Sequence, residues 1–298
     1  MDILSNYLKT FNLSAHVFLH SNFCGSWAVD TSGEKKATFH MIARGAAWLH
    51  LWDSDMPIPL RSGDVVVFPN DAIHTISNHE TPPPPETPRN QPATPDATGP
   101  VTSLICGYFL FERHHWNPLM NALPEVMVIK SEDSANTALM DDIIRNIIYE
   151  TETEGAGSDV IIDKLSEVLF IHVVRTHMQQ QQTSNGFVAA LADKQISNAL
   201  ASFHATPGKV WSVERLANEA GMSRSTFADK FHKLVNMTPM AYVTCWRMQT
   251  AHRLLAENKE PVATVAEQSG YQSEAAFAKV FKKHFGYGPG KVRKGGVA

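Results

Sequence analysis

The sequence has few cysteines and no long apolar run, and both absences narrow the class of protein. Three cysteines, Cys24, Cys106 and Cys245, are scattered over 298 residues, which excludes the disulfide framework of a small secreted domain. No apolar segment approaches the roughly 20 residues that span a bilayer, and the first residues lack the pattern of a signal peptide. We therefore expect a cytoplasmic protein with no membrane partner. Its length predicts two domains, each with its own core.

Basic residues are in slight deficit overall, but they are unevenly distributed. The chain holds 26 Lys and Arg against 30 Asp and Glu, a net charge of −4. Residues 194–298 nevertheless hold 15 basic and 7 acidic residues, which gives +8 there and leaves −12 for residues 1–193. A basic C-terminal third on an acidic body is expected of a phosphate-contacting domain attached to a separate sensor. A chance variation in surface charge is the alternative.

One sequence pattern occurs twice in residues 212–293. Its first copy consists of Ala217, Gly221, Ser223, Phe227, Phe231 and Pro239. Its second copy consists of Ala266, Gly270, Ser273, Phe277, Phe281 and Pro289, and the part from serine to proline is offset by 50 residues. Each copy predicts a short helix, a tight turn at glycine, and a second helix that a serine caps. Two such units side by side suit two successive major grooves of double-stranded DNA.

Residues 187–294 resemble the DNA-binding domain of the AraC/XylS family of transcription regulators along its whole length. The second copy follows the family signature nearly position by position from Val265 to Arg293, and it departs at Gly288, where the family usually has threonine. Residues 239–255 match the long helix that joins the two helix-turn-helix units. The resemblance implies sequence-specific transcription regulation with promoter DNA and RNA polymerase as partners, and it favours activation over repression.

The candidate DNA contacts lie on the faces opposite the phenylalanines of the two second helices. These faces comprise Ser223, Arg224, Ser225, Ala228 and Asp229 in the first copy, and Ser273, Glu274, Ala275, Ala278 and Lys279 in the second. Arg224 and Lys279 suit guanine edges or phosphates, and the alanines suit thymine methyl groups. Lys282 and Arg293 are expected to contact phosphates. For any single residue a plain solvated helix face is the alternative, whereas the set as a whole favours base recognition.

The pattern of apolar residues in the first 178 positions predicts a set of strands followed by a pair of helices. Short runs of β-branched and aromatic residues up to residue 130 are typical of a barrel or sandwich. The proline-rich segment 81–100 interrupts them, and we expect a disordered, solvated loop there. Helical spacing over 139–148 and 160–172 predicts an antiparallel pair, packed on the barrel or on a second copy in a homodimer. Residues 179–186 are polar and are the expected linker to a DNA-binding domain at 187–298.

The segment from Gly63 to Asn78 resembles the second motif of cupin barrels. Pro69 and His74 occupy motif positions, and Asp71 replaces a glycine, which aspartate can do in a turn. Residues 106–124 are similar to the cupin sensor domains of one subgroup of AraC-type regulators. The implied fold class is α+β, with an N-terminal cupin-like β-barrel and helical hairpin over residues 1–178. An all-α domain of two helix-turn-helix units joined by a long helix follows.

The histidines do not form the ligand set of a catalytic cupin. His40 and His50 stand ten residues apart where His-x-His is expected, and Thr38 takes the place of the glutamate. We therefore expect no enzyme activity. His40 and His74 could still hold zinc or another divalent ion together with Cys24. The alternative is that both histidines are hydrogen-bonded barrel residues.

Cys24 and Cys106 resemble the cysteine pair of regulators in this subgroup that respond to reactive chlorine species. Oxidation of Cys24, with a disulfide to Cys106 as one product, is the first hypothesis for the signal. A buried and inert Cys106 is the alternative at that position. A metal ion or a small ligand in the barrel is the second hypothesis. A cupin metalloenzyme fused to a DNA-binding domain, or an adaptor acting through the proline-rich loop, would belong to a different class.

Overall fold

The computed structural model describes residues 3–94, 98–111, 117–132, 138–153, 155–180 and 186–294. Within these limits the chain forms two compact units. The sheet unit contains residues 13–111 and 123–180, and the helical unit contains residues 1–12, 112–122 and 181–298. Most of the predicted linker, residues 181–185, lies outside the described residues. No described helix is long and apolar enough to cross a membrane.

Two antiparallel sheets build the sheet unit. Their strands are β1 (Ser14–Cys24), β2 (Ala28–Val29), β3 (Ala37–Arg44), β4 (Ala46–Leu51), β5 (Ile58–Arg61), β6 (Val65–Phe68), β7 (His74–Ser77), β8 (Val101–Leu110) and β9 (Met127–Ile129). One sheet has the order β1-β8-β3-β6-β9, and the other has the order β2-β7-β4-β5. Both contribute to one apolar core, which includes Phe23, Ile42 and Leu104 from the first and Leu49 and Ile76 from the second. The predicted cupin-like fold of short strands is confirmed.

Helices complete both units. They are α1 (Ile3–Thr10), α2 (Pro118–Ala122), α3 (Ala138–Thr153), α4 (Ser158–Gln180), α5 (Phe187–Ala192), α6 (Lys194–Ala205), α7 (Val213–Glu219), α8 (Arg224–Val235), α9 (Pro239–Ala256), α10 (Val262–Gln268), α11 (Glu274–Phe285) and α12 (Pro289–Arg293). The predicted helix pair is α3 and α4, which pack on each other in the sheet unit. There α4 also covers the outer face of β1 and β8: Phe170 lies 4.6 Å from Phe109 between ring centroids, and the Val17 amide donates to Asp163 Oδ1 at 3.2 Å.

Asp71 explains how the cupin motif tolerates the loss of its glycine. Its backbone adopts φ +59°, the left-handed region that glycine enters without steric cost and aspartate enters more readily than most residues. The carboxylate then accepts hydrogen bonds from the Gly33 amide at 3.1 Å and from the Lys35 amide at 2.5 Å. The substitution therefore adds a tether between two loops.

The proline-rich segment is attached to the sheet unit where it is described. The Ala28 amide donates to Pro88 O at 3.0 Å, and the Ala93 amide donates to Asn22 O at 2.7 Å. Asn90 makes two further hydrogen bonds to the Asp30 backbone. These bonds satisfy backbone groups of a segment that prolines keep out of the sheets, although we expected the segment to be disordered.

The helical unit includes two segments from outside the C-terminal third of the chain. Tyr7 of α1 is fully buried, stacks on Phe11 at 4.2 Å between ring centroids, and lies 6.1 Å from Trp246 of α9. Its hydroxyl donates to Asn117 Oδ1 at 2.5 Å and accepts from the Leu119 amide at 3.3 Å. Residues 3–11 and 117–122 therefore pack with the DNA-binding helices, whereas we expected both segments in the sensor domain.

Candidate functional site

The two candidate recognition helices, α8 and α11, begin and end in the same way. Ser223 caps α8 by accepting from the Thr226 amide at 3.3 Å, and Ser273 caps α11 by accepting from the Ala276 amide at 3.2 Å. Each helix ends at a left-handed residue, Asn236 with φ +55° and Gly286 with φ +82°. These caps satisfy the backbone groups that helix ends leave free, so the sequence fixes both ends of each helix.

Burial also repeats along the two helices, residue by residue. From 223 to 235 and from 273 to 285, each pair of equivalent positions falls in the same class of exposure. Phenylalanines bury one face of α8 and of α11, while the opposite face is open to solvent. The two copies therefore present equivalent surfaces, as two major-groove contacts require.

The predicted contact residues lie on these open faces. Exposed members are Ser223, Arg224, Ser225 and Asp229 on α8, and Ser273, Glu274, Ala275, Lys279 and Lys282 on α11; Ala228 and Ala278 are half-buried. Arg293, in α12, is exposed and donates from Nε to Lys259 O at 3.3 Å. The sequence interpretation omitted Thr226 and Gln272, which are exposed beside the two caps. Ala276, the equivalent of Thr226 in the second copy, is also exposed and was also omitted.

Two backbone segments meet beside α9 and connect the two helix-turn-helix units. Arg247 of α9 donates from Nε to Pro207 O at 2.8 Å and from a terminal guanidinium nitrogen to Lys209 O at 2.7 Å. A Cβ atom added at Gly208 would lie 2.4 Å from Gln268 O, at the turn of the second unit. Only glycine permits this approach, which holds the segment before α7 against the end of α10.

In the sheet unit, two buried histidines and a buried cysteine form a hydrogen-bonded series that we call the imidazole relay. Cys106 Sγ lies 3.0 Å from His40 Nδ1, and His40 Nε2 lies 2.9 Å from His74 Nε2. His74 Nδ1 lies 2.7 Å from Ala72 O, and Thr31 Oγ1 lies 3.2 Å from His40 Nε2. The pairing of β3 with β8 places His40 directly opposite Cys106, which brings the two side chains together.

The Ala72 carbonyl fixes the direction of donation along the relay. A carbonyl only accepts, so His74 Nδ1 carries the proton, and a neutral His74 presents Nε2 as an acceptor. His40 must then donate from Nε2, which leaves His40 Nδ1 to accept from the Cys106 thiol. Burial, followed by the proximity of His74, holds the pKa of His40 well below its usual value. Burial also lowers the pKa of His74 and raises the pKa of the Cys106 thiol, so all three groups are neutral near pH 7.

Cys24 lies apart from the relay. It pairs with Val101 across β1 and β8, whereas Cys106 pairs with Leu19. Five residues of strand between Val101 and Cys106 correspond to about 17 Å, far beyond the Cα separation of roughly 4.4–6.8 Å that a disulfide needs. The expected Cys24–Cys106 disulfide is therefore incompatible with this fold. The expected metal set of His40, His74 and Cys24 is not assembled either: among the described residues no three His, Cys, Asp or Glu side chains are grouped to hold a metal ion.

Comparison with known proteins agrees with both halves of this description. Residues 2–179 match the family described as Cupin, and residues 216–295 match the Helix-turn-helix domain family. The chain is 31% identical to the HTH-type transcriptional regulator AlkR of Acinetobacter baylyi over 99% of both chains. It is 26% identical to the RCS-specific HTH-type transcriptional activator RclR of Escherichia coli, over 86% of this chain and 84% of that one.

Among solved structures, the DNA-binding domain of AdpA in complex with a target DNA is 27% identical, covers 38% of this chain and 93% of its own, and has a TM-score of 0.31. The cupin family model alone matches more than half of the chain, and the regulator from Acinetobacter spans nearly all of it. The chain belongs to the AraC family of DNA-binding transcription regulators, in the group that carries an N-terminal cupin domain.

Proposed function

We propose that this regulator activates transcription by placing α8 and α11 in two successive major grooves of promoter DNA, where it acts with RNA polymerase in the cytoplasm. The equivalent open faces of the two helices carry this proposal. The two faces bear different side chains, Arg224 and Asp229 against Glu274 and Lys279, so the two half-sites differ in sequence. No catalytic role is assigned to the sheet unit, because the relatives are named as regulators.

DNA selected from a random library by the purified chain tests the DNA-binding part. We expect two conserved half-sites about 10 base pairs apart. Arg224→Ala and Lys279→Ala should each cost about 1–3 kcal/mol on the selected site and relax the preference at one position. Lys283→Ala is the control: this exposed lysine lies on the last turn of α11, and its loss should weaken binding to all sequences equally. If all three variants lost affinity equally for every DNA sequence, Arg224 and Lys279 would contact phosphates and would not read bases.

The signal that we assign to the sheet unit is oxidation of Cys24. Two observations support this choice over Cys106. Cys24 is half-buried, whereas Cys106 is fully buried and its neutral thiol donates a hydrogen bond to His40 Nδ1. Gly99 lies over the Cys24 thiol: a Cβ atom there would be 3.5 Å from Sγ, so the end of the proline-rich segment is next to the group that reacts. Hypochlorous acid would oxidise the thiol to a sulfenic acid, with chloride and a proton released.

Operator affinity before and after one equivalent of hypochlorous acid tests this assignment. We expect the oxidised protein to change affinity and a sulfenic-acid trap to label Cys24. The Cys24→Ser variant should lose both effects. Cys106→Ser and Cys245→Ser are matched controls; burial raises the pKa of the Cys245 thiol to about 11, which makes it a poor nucleophile at neutral pH. A Cys24→Ser protein that still responds to the oxidant would contradict the assignment.

The route from the sensor to the DNA-binding helices follows the covalent chain. β1 begins at Ser14, four residues after α1 ends, and β8 ends at Leu110, eight residues before α2 begins. Ser14 and Leu110 are paired across the two strands. A change in the pairing of β1 with β8 would thus act on both segments that pack in the helical unit. We propose that the signal shifts the population of DNA-competent conformations through this pair of connections.

A second copy of the chain is a further proposed partner. Ile161 and Val168 of α4 are 41% and 40% exposed, and Leu165 lies between them at helical spacing. Large apolar side chains aligned along one helix favour association with another helix.

A small molecule in the barrel remains the second candidate for the signal, because a cavity opens beside the relay.

A further inference from the structure

The cavity lies where β1, β3 and β8 meet the residues that precede β3, and it has a volume of about 440 Å³. Thr31, Thr38 and Tyr108 are among its lining residues. Thr38 and Tyr108 are cross-strand partners on β3 and β8, and each is two residues from a member of the relay, His40 or Cys106. Side chains two apart on a strand share a face. The cavity therefore opens on the same face of the sheet as the relay, and its size is that of sites for small organic molecules.

The floor of this cavity holds a hydroxyl group whose hydrogen-bonding capacity is unused. Thr38 is only 2% exposed, and its Oγ1 has no hydrogen-bond partner among the described residues. A buried polar group without a partner is unfavourable, so such groups usually meet another protein group, an ordered water or a ligand. Thr31, which also lines the cavity, contacts His40 Nε2. A ligand on the floor is therefore one hydrogen bond from the relay.

The walls combine the aromatic rings of Phe18, Tyr108 and His16 with one lysine and one glutamate. Phe18, which is 45% exposed, stacks on Tyr108 with ring centroids 5.9 Å apart. Lys36 Nζ lies 4.3 Å from the centroid of the Tyr108 ring. Its nearest carboxylate, Glu34 Oε2, is 3.5 Å away. The exposure of the two charges differs: the side chain of Lys36 is 24% exposed and that of Glu34 is 68% exposed. The field of the lysine is thus less screened inside the cavity, and the glutamate can turn to solvent.

We propose that this cavity binds a compact organic monocarboxylate, with its apolar body against Phe18 and Tyr108 and its carboxylate between Lys36 and Thr38. The ammonium and hydroxyl groups both donate hydrogen bonds, and a carboxylate accepts several. An organic cation fits less well, since Lys36 would have to leave the Tyr108 ring. The inference rests on the proposed regulator function, because it supplies the sheet unit with a ligand whose binding adjusts Thr31 and thereby the relay.

Calorimetric titration of the full chain with three matched probes tests the site. The probes are 3-phenylpropionate, its amide and 3-phenylpropylamine, which share one apolar body and differ in charge. We expect 3-phenylpropionate to bind one per chain and the other two to bind at least about tenfold more weakly. Hexanoate and benzoate extend the test to other shapes. Failure of all three carboxylates to bind at millimolar concentration, or tighter binding of the amine, would overturn the proposal.

Variants locate the site. Lys36→Met keeps the length of the side chain and removes the charge, and we expect about a tenfold loss of affinity for 3-phenylpropionate. Thr38→Val removes the hydroxyl at constant shape and should weaken binding severalfold. Lys164→Met is the control, because Lys164 also pairs with a nearby glutamate but lies on the surface of α4. Equal affinity in Lys36→Met and Lys164→Met would refute the site. Operator binding, measured separately, distinguishes failure of the ligand site from failure of the regulator function.

Discussion

At Gly270, two demands on one residue coincide. Its backbone is left-handed at φ +77°, and a Cβ atom there would lie 2.6 Å from Gly208 O. Gly221, at the same turn of the first helix-turn-helix unit, is also left-handed at φ +64° but has nothing within 4 Å of that position. We expect Gly221→Ala to lower the free energy of unfolding by about 1–2 kcal/mol and Gly270→Ala by about 1–3 kcal/mol more. Urea unfolding of the two variants, side by side, measures the difference.

Gly221 and Gly270 also show what the sequence can and cannot predict about single residues. Gly221 and Gly270 follow the first helix in the two copies of the pattern, so the sequence predicts a tight turn at both, and both are left-handed as such a turn requires. Their different surroundings arise from Gly208, which is 62 positions from Gly270 and belongs to neither copy of the pattern. If Gly221→Ala and Gly270→Ala were equally destabilising, the backbone approach would have no energetic role.

At the scale of elements, the exposed apolar stripe of α4 predicts association. We expect the chain to sediment as a dimer at micromolar concentration, and Ile161→Asp or Val168→Asp to shift it to monomer, because a charge cannot be buried there without a partner. Val160→Asp is the control, since Val160 is 64% exposed but one position off the stripe. Sedimentation equilibrium gives the masses. A native chain that sediments as a monomer, or variants that remain dimeric, would exclude this face.

Prediction of elements from the sequence succeeded where burial follows a simple period. The helix pair and the two helix-turn-helix units were predicted because apolar residues recur at helical spacing on one face. β1 was not identified, although it is 11 residues long and His16, His20 and Asn22 occupy alternating exposed positions, because only two of its side chains are fully buried and exposed Phe18 blurs the alternation. The metal set and the disulfide were wrong for a related reason. Both required Cys24 to lie beside residues of other strands, and its place depends on how β1 is paired in the sheet, a register that the sequence does not encode locally.

At the scale of the whole molecule, α1 and residues 117–122 precede or follow strands of the sheet unit in the chain but pack with the DNA-binding helices. The Tyr7 hydroxyl joins side chains that are 110 positions apart, a distance at which no pattern in the sequence predicts a contact. The two segments that it joins lead directly into β1 and β8, which carry Cys24 and Cys106. We therefore expect Tyr7→Phe to interrupt the response to the signal more than it affects either unit alone.

The Tyr7→Phe variant keeps the ring and its stacking on Phe11 but removes the hydroxyl that accepts from the Leu119 amide. It also removes one of two donors to Asn117 Oδ1, which keeps the Met120 amide at 3.0 Å. The expected loss is about 1–3 kcal/mol in the unfolding of the helical unit. Oxidation of Cys24 should proceed as before, because the thiol lies in the sheet unit, while the change in operator affinity on oxidation should shrink severalfold. Tyr149→Phe is the control, since that tyrosine is 61% exposed on α3. An undiminished response in Tyr7→Phe would show that the signal reaches the DNA-binding helices by another route, with residues 178–187 as the remaining covalent connection.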